Sequence, residues 1–274
     1  MGKETEIQYV DSTINPTEGC DGCELWIRGK DVNICYAGRL QELWHGAGAF
    51  DQVDLMHGRM EAGAKWPDLA GAIRPEKPWL DGWPRVVFVS DMSDALSRRV
   101  QFPFLKREII EIVRDWPHLA MWFTKRPQRM SELSDSISGN WPANLMAVTS
   151  ITRQRTADAR IPWLLKVGGP KTVRGISVEP IWEPINLKPW LARLDWVATG
   201  GESGRAAEPC NADWIRGLIA DCREARVPLF VKQLGSRFGL KDSKGGDWNE
   251  WPEDLRVRQM PKRLRETRAP MTLL

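Results

Sequence analysis

The feature that most restricts this chain is a rhythm. Short apolar runs rich in Val, Ile, Phe and Trp alternate with longer helix-like segments, and most runs stop abruptly at polar or charged residues. The runs predict strands at Ile7–Ile14, Arg85–Ser90, Leu119–Phe123, Leu145–Ser150, Val173–Val178, Trp196–Thr199 and Pro228–Lys232. Helices are predicted between them at Tyr36–His45, Ser97–Trp116, Pro127–Ile137, Arg153–Val167, Pro189–Leu194 and Ala212–Arg226. Strands alternating with helices build βαβ units and a mostly parallel sheet. Such strands are buried on both faces, which accounts for near-continuous apolar runs such as VVFVS and LAMWF. The expected class is α/β, and the pattern fits either an open doubly wound sheet or a partial or complete (β/α) barrel.

The strand ends point to function. Asp91, Ser93 and Asp94 follow the second run, Lys125 and Arg126 the third, and Ser150 closes the fourth. Glu179 follows the fifth, Gly200, Gly201, Glu202 and Ser203 follow the sixth, and Lys232 ends the seventh. Ligand sites of parallel α/β folds gather at the carboxyl ends of strands. One polar strand end is explained by capping of the next helix; six in succession point to a shared site. The glycines around Glu202 allow close approach of backbone to a ligand, or make a tight turn. Glu179 suits a ribose hydroxyl or an amino group, or a salt bridge to Arg174 or Lys232. Lys125 and Arg126 suit a carboxylate or phosphate, or an ion pair with Asp91 or Glu179.

Composition removes several classes. The 274 residues are 42% hydrophobic with 15 Trp, which excludes a largely disordered chain. No apolar run reaches the roughly 18 residues of a membrane span, and the N-terminus lacks an apolar signal core, so a cytoplasmic protein without a membrane partner is expected. A net charge of +3 neither demands nor excludes nucleic acid. His45, His57 and His118 are scattered and suggest no triad. The organisation expected is one barrel domain over 1–240, with a Pro/Gly/Trp-rich loop near 55–82 inserted over its mouth, and a basic, Trp-rich extension over 241–274. That extension carries Arg256, Arg258, Lys262, Arg263, Arg265 and Arg268, as a solvated tail or a phosphate contact.

Three of the five cysteines, Cys20, Cys23 and Cys35, follow the first strand within sixteen residues. An odd number of thiols in a reduced compartment argues for metal or catalysis over disulfides. Three thiolates hold zinc with a fourth ligand such as His45 or His57, or an iron–sulfur cluster with one open iron. Spacing alone leaves both readings, and inert thiols, open.

The strings STINPTEGC with the later CYAGRL, VFVSDMSD, FTKRPQRM, SVEPI, WVATGGESG and VPLFVKQLG, in this order over roughly residues 8–260, resemble the phage protein family named after gene products 37 and 68, a radical-SAM-like group. That resemblance implies a partial β/α barrel of the radical S-adenosylmethionine (SAM) type. It implies a [4Fe–4S] cluster on Cys20, Cys23 and Cys35, whose open iron takes SAM. One electron from a reductant protein would then release a 5′-deoxyadenosyl radical. The cofactor pocket would be lined by Asp91, Ser93, Asp94, Ser150, Glu179, Gly200, Gly201, Glu202, Ser203 and Lys232. The implied substrate is phage or host nucleic acid or a nucleotide, in base modification or DNA repair. The spacing departs from the usual Cys-x3-Cys-x2-Cys, being Cys-x2-Cys-x11-Cys, and Gly200-Gly201-Glu202 follows a later strand than the superfamily's Gly-Gly-Glu element. The alternative is a zinc-binding barrel or a nucleic-acid-binding partner without radical chemistry.

Overall fold

The computed structural model describes residues 2–27, 33–204 and 206–267. In chain order its first elements are β1 (Ser12–Ile14), β2 (Thr17–Glu18), α1 (Tyr36–His45), β3 (Asp54–Leu55), α2 (Arg59–Ala64) and β4 (Val86–Val89). A helical stretch follows, made of α3 (Phe102–Leu105), a π-helical segment (Lys106–Glu111) and α4 (Ile112–Arg114). Then come β5 (Leu119–Thr124), α5 (Pro127–Asp135), β6 (Leu145–Ile151), α6 (Gln154–Leu164), β7 (Arg174–Val178), α7 (Lys188–Leu191), β8 (Trp196–Gly200), α8 (Ala212–Glu224), β9 (Leu229–Gln233) and α9 (Lys262–Glu266).

Seven strands form one parallel sheet in the order β1-β4-β5-β6-β7-β8-β9, curled into a half-barrel with helices outside. Register is fixed by the two-residue period of each strand. Val86 and Phe88, Leu119, Met121 and Phe123, Met146 and Val148, Trp196 and Ala198, and Phe230 point to the concave side. Their neighbours Val87 and Val89, Ala120 and Trp122, Ala147, Ile176 and Val178, Val197 and Val231 pack under the helices. The two faces are thus separate apolar layers. Aromatic rings fill the concave one: Phe88 stacks on Phe123 at 4.0 Å, and Tyr9 meets Phe88, Phe123, Trp196 and Phe230 within 5.3–6.3 Å. Both sheet edges are covered, as exposed edges invite aggregation. Gly2 pairs antiparallel with Thr13 of β1, and the segment around Arg258 pairs with Phe230 of β9.

Two expectations are corrected. Strand β1 starts at Ser12, not Ile7, because the Lys77 ammonium takes the carbonyls of Thr5, Ile7 and Val10 at 2.6–2.9 Å and folds that segment into a turn. In the stretch near 55–82, α2 buries Met60 in the core that holds Ile14 and Val113, and Arg74 pairs with Asp11 at 2.7 Å. The basic C-terminal segment is not a free tail. Met260 and Leu264 close the floor of the concave core, and its arginines are committed locally. Arg256 donates to the Trp251 and Asn249 carbonyls, Arg263 to Asp195 and Arg265 to the Gly82 carbonyl. Arg258 lies over Trp79, Trp248, Trp251 and Phe230 at 4.4–5.6 Å. Arg268 lies outside the described residues. No described helix is long and apolar enough to cross a membrane.

Candidate functional site at the carboxyl ends of the strands

The polar strand ends open on one rim. At the carboxyl ends of β4 and β5, Asp94 is the hub. Its buried carboxylate accepts from the Thr124 hydroxyl at 2.9 and 3.0 Å, the Lys125 amide at 3.0 Å, the Leu96 amide at 3.1 Å and the Arg126 guanidinium at 2.8 Å. Arg126 continues to Asp21 and the Gly22 carbonyl. Asp94 therefore sets where Lys125 and Arg126 stand. Arg126 pairs with Asp94 and Asp21, not with Asp91 or Glu179. Asp91 receives the Asn15 amide at 2.6 Å, and burial pushes its carboxyl up despite that bond. The Ser93 hydroxyl meets the Thr17 hydroxyl at 3.0 Å, and its backbone bridges to Gly19.

Across the rim, Ser177 and Tyr9 donate to Glu179 Oε2 at 2.8 and 3.2 Å, and Lys232 stands 3.7 Å from Oε1. Glu179 Oε1 is buried without a hydrogen bond among the described residues. Gly200 leaves room beside it: a Cβ there would lie 3.3 Å from that oxygen. Burial, then the charge of Glu179, pushes the Tyr9 phenol well up, so it stays a donor. Ser150 is the register neighbour of Ser177. Gly201 packs on backbone, as a Cβ there would fall 2.3 Å from the Leu234 carbonyl oxygen. Glu202 turns away to the Trp182 indole at 2.9 Å and the Glu208 amide, and Ser203 faces solvent. The structure thus brings Glu179, Lys232 and Gly200 together with Tyr9, and leaves Glu202 and Ser203 outside.

The cysteines do not gather. Among the described residues no three His, Cys, Asp or Glu side chains are placed to hold a metal ion, which overturns the expected [4Fe–4S] cluster and the SAM bound through it. Each thiol has local business. Cys20 is buried with Trp26, Ala37 and Phe50, 3.9 Å from the Arg126 guanidinium. Burial, then the charge of Asp94, pushes its thiol up to about 12. Cys23 sits in a tight turn that exchanges backbone hydrogen bonds with Trp26. Cys35 precedes the first turn of α1, its thiol likewise raised by burial. The charge in their midst is already present. Burial works against the Lys125 ammonium, but Cys23, Glu24 and Cys35 outweigh it and hold its pKa up.

Beside this ammonium opens a cleft of about 910 Å3. Its charged lining is Arg98, Arg99, Lys125, Arg126, Arg129 and Arg160 against Asp21 and Glu132. Arg160 is held by Glu24 at 2.6 Å. Burial opposes ionisation of Glu24, yet the hydrogen bonds and charge of Arg160 hold its carboxyl low. Arg98 is exposed, and neither it nor Lys125 makes an ion pair among the described residues. Pro127, Gln128 and Arg129, the first turn of α5, also line the cleft, adding the positive end of a helix dipole. Arg98, Arg129, Arg160 and Tyr9 escaped the sequence reading. They come from four separate segments, and only Tyr9, in an apolar run, carried any local signal.

No curated protein matches the chain. Two solved structures of spore photoproduct lyase bear a distant likeness to it. One, complexed with dinucleoside spore photoproduct, has a TM-score of 0.43 and 15% identity over 72% of this chain and 59% of that one. The other, a doubly substituted variant with bound AdoMet and dinucleoside spore photoproduct, has a TM-score of 0.44 and 14% identity over 82% and 66%. The chain spans less than two thirds of the length of either. These likenesses name neither the phage family nor its three-cysteine motif. A family model described as protein of unknown function (DUF5131) matches residues 4–262, and the chain belongs to that family.

Proposed function

We propose that the protein is an enzyme acting on a nucleic acid or a nucleotide. The observation that carries this reading is the cationic cleft at the carboxyl rim, six basic side chains against two acidic ones. Arg98 and Lys125 are its uncommitted charges. A phosphate entering there meets both, together with the first turn of α5; Lys and Arg neutralising phosphates supply the bulk of nucleic-acid affinity. The candidate chemical group stands elsewhere on the carboxyl rim, in the Glu179 cluster. Glu179 keeps Oε1 without a hydrogen-bond donor among the described residues, which leaves it for a substrate donor, with Oε2 fixed by Ser177 and Tyr9. Glu179 is thus the candidate general base, and Lys232 the neighbouring countercharge. The basic C-terminal segment has no part in this reading, because its arginines are used inside the fold.

The test is binding of a fluorescein-labelled oligonucleotide to wild type and to Arg98→Glu, a substitution at an exposed side chain. The charge reversal is expected to weaken binding by roughly tenfold or more at low salt. Equal affinity of the two proteins would overturn the assignment of the cleft.

A further inference from the structure

Helix α1 is inside out. The residues it buries are Ala37, Gly38 and Gln41, and Gly38 lets it lie close on Trp26 and Phe50, since a Cβ there would fall 2.5 Å from the Trp26 ring. Its large side chains face solvent. Tyr36 is 52% exposed, Leu43 77% and Trp44 59%, with Arg39 exposed and Leu40 half-buried between them. Positions 36, 39, 40, 43 and 44 follow the i, i+3, i+4, i+7, i+8 spacing of a single helix face. An ordinary surface helix turns that face to the core.

The stripe is placed at the rim and is cationic. The Tyr36 hydroxyl donates to the Asp91 carbonyl at the end of β4. Arg39 makes no ion pair among the described residues and reaches the loop after β8, where a Cβ on Gly204 would stand 3.6 Å from Nη1. The one acidic side chain of α1, Glu42, is turned to the Gly48 amide at 2.9 Å. Arg99 of the cleft donates to the carbonyl of Asp51, next to the Phe50 on which α1 rests. The stripe and the cleft therefore flank the same packed unit.

We propose that this stripe is a stacking surface for unpaired bases of single-stranded nucleic acid whose phosphates occupy the cationic cleft; the inference rests on the reading of that cleft given above. Rings with a neighbouring guanidinium and no carboxylate suit a base and its phosphate better than an apolar protein segment. Tyr36 and Trp44 are about 12 Å apart along the helix, a span of roughly three to four nucleotides at the stacked repeat. Paired bases already stacked in a duplex cannot lie flat on these rings.

The experiment compares a labelled oligothymidylate of about twelve nucleotides, within the usual site size, with a duplex of equal length, by fluorescence anisotropy. The single strand is expected to bind the more tightly. Trp44→Ala is expected to weaken the single strand by roughly 5- to 100-fold and to leave duplex affinity unchanged, while Trp44→Phe restores most of the loss. If Trp44→Ala has no effect while Arg98→Glu still weakens binding, the stacking surface is refuted and the cleft stands. If neither nucleic acid binds, both fall. If wild type sediments as a dimer and Trp44→Ala as a monomer, the stripe is an interface between copies and the proposal is overturned.

Discussion

Replacing Asp94 tests how the rim is built. Its carboxylate is 9% exposed and holds one guanidinium, one hydroxyl and two amides, all within 3.1 Å. Asp94→Ala strands these donors and leaves Arg126 with Asp21 and the Gly22 carbonyl. Breaking a buried pair from one side costs about 3–5 kcal/mol. Because Arg126 keeps Asp21, a loss of about 3–4 kcal/mol is expected here. At roughly 2–4 °C per kcal/mol, the melting temperature should fall by about 6–16 °C. Asp94→Asn, which keeps an acceptor for Thr124 and loses the charge, should cost about half as much. Urea and thermal unfolding followed by circular dichroism measure both. A loss under about 1 kcal/mol for Asp94→Ala would show that Asp94 is not the hub described.

Other outcomes follow from the same geometry. Burial raises the Asp91 carboxyl, so the native state holds that proton more tightly than the unfolded chain and stability falls as pH rises above about 4; Asp91→Asn should be the more stable protein at pH 7 and lose its advantage near pH 3, and an equal or lower melting temperature at pH 7 would contradict this. Cys20 and Cys222 are buried, with thiols each pushed up to about 12 by burial, then by the nearby Asp94 and Asp221; at pH 8 a thiol reagent should label Cys23 quickly and these two only on unfolding, as peptide mass spectrometry would show. Gly201→Ala drives a methyl into the Leu234 backbone and should cost about 1–3 kcal/mol, read by urea unfolding.

What the sequence showed, and what it hid, divides by range. The parallel sheet was legible because two-sided burial leaves runs such as LAMWFT that need no distant information, while those runs left its curl into a half-barrel undecided against an open sheet. The start of β1 was not, since the turn that shortens it is made by Lys77, 67 to 72 residues away. The spacing of Cys20, Cys23 and Cys35 was plain, but holding a metal needs the thiols to converge on one point, which spacing does not fix; Cys20 and Cys35 instead pack against Trp26 and Phe50, and no metal-holding group forms among the described residues. The arginines after 255 read as a basic patch because composition counts charges and not partners; Arg258 under four rings is the extreme case. The cleft cations assemble from three connections of the chain and form no motif. Asp94 was singled out from its strand-end position, yet its contacts make it the support of Lys125 and Arg126.

The proposed function places phosphates in the cleft against Arg98 and Lys125. The salt dependence of oligonucleotide binding tests it most directly. For a single strand the slope of log K against log salt is about −0.7 per phosphate neutralised. A slope of about −1.4 or steeper is expected for wild type, made shallower by roughly 0.7 in Arg98→Glu. A flat slope, or the same slope in both proteins, would contradict the account.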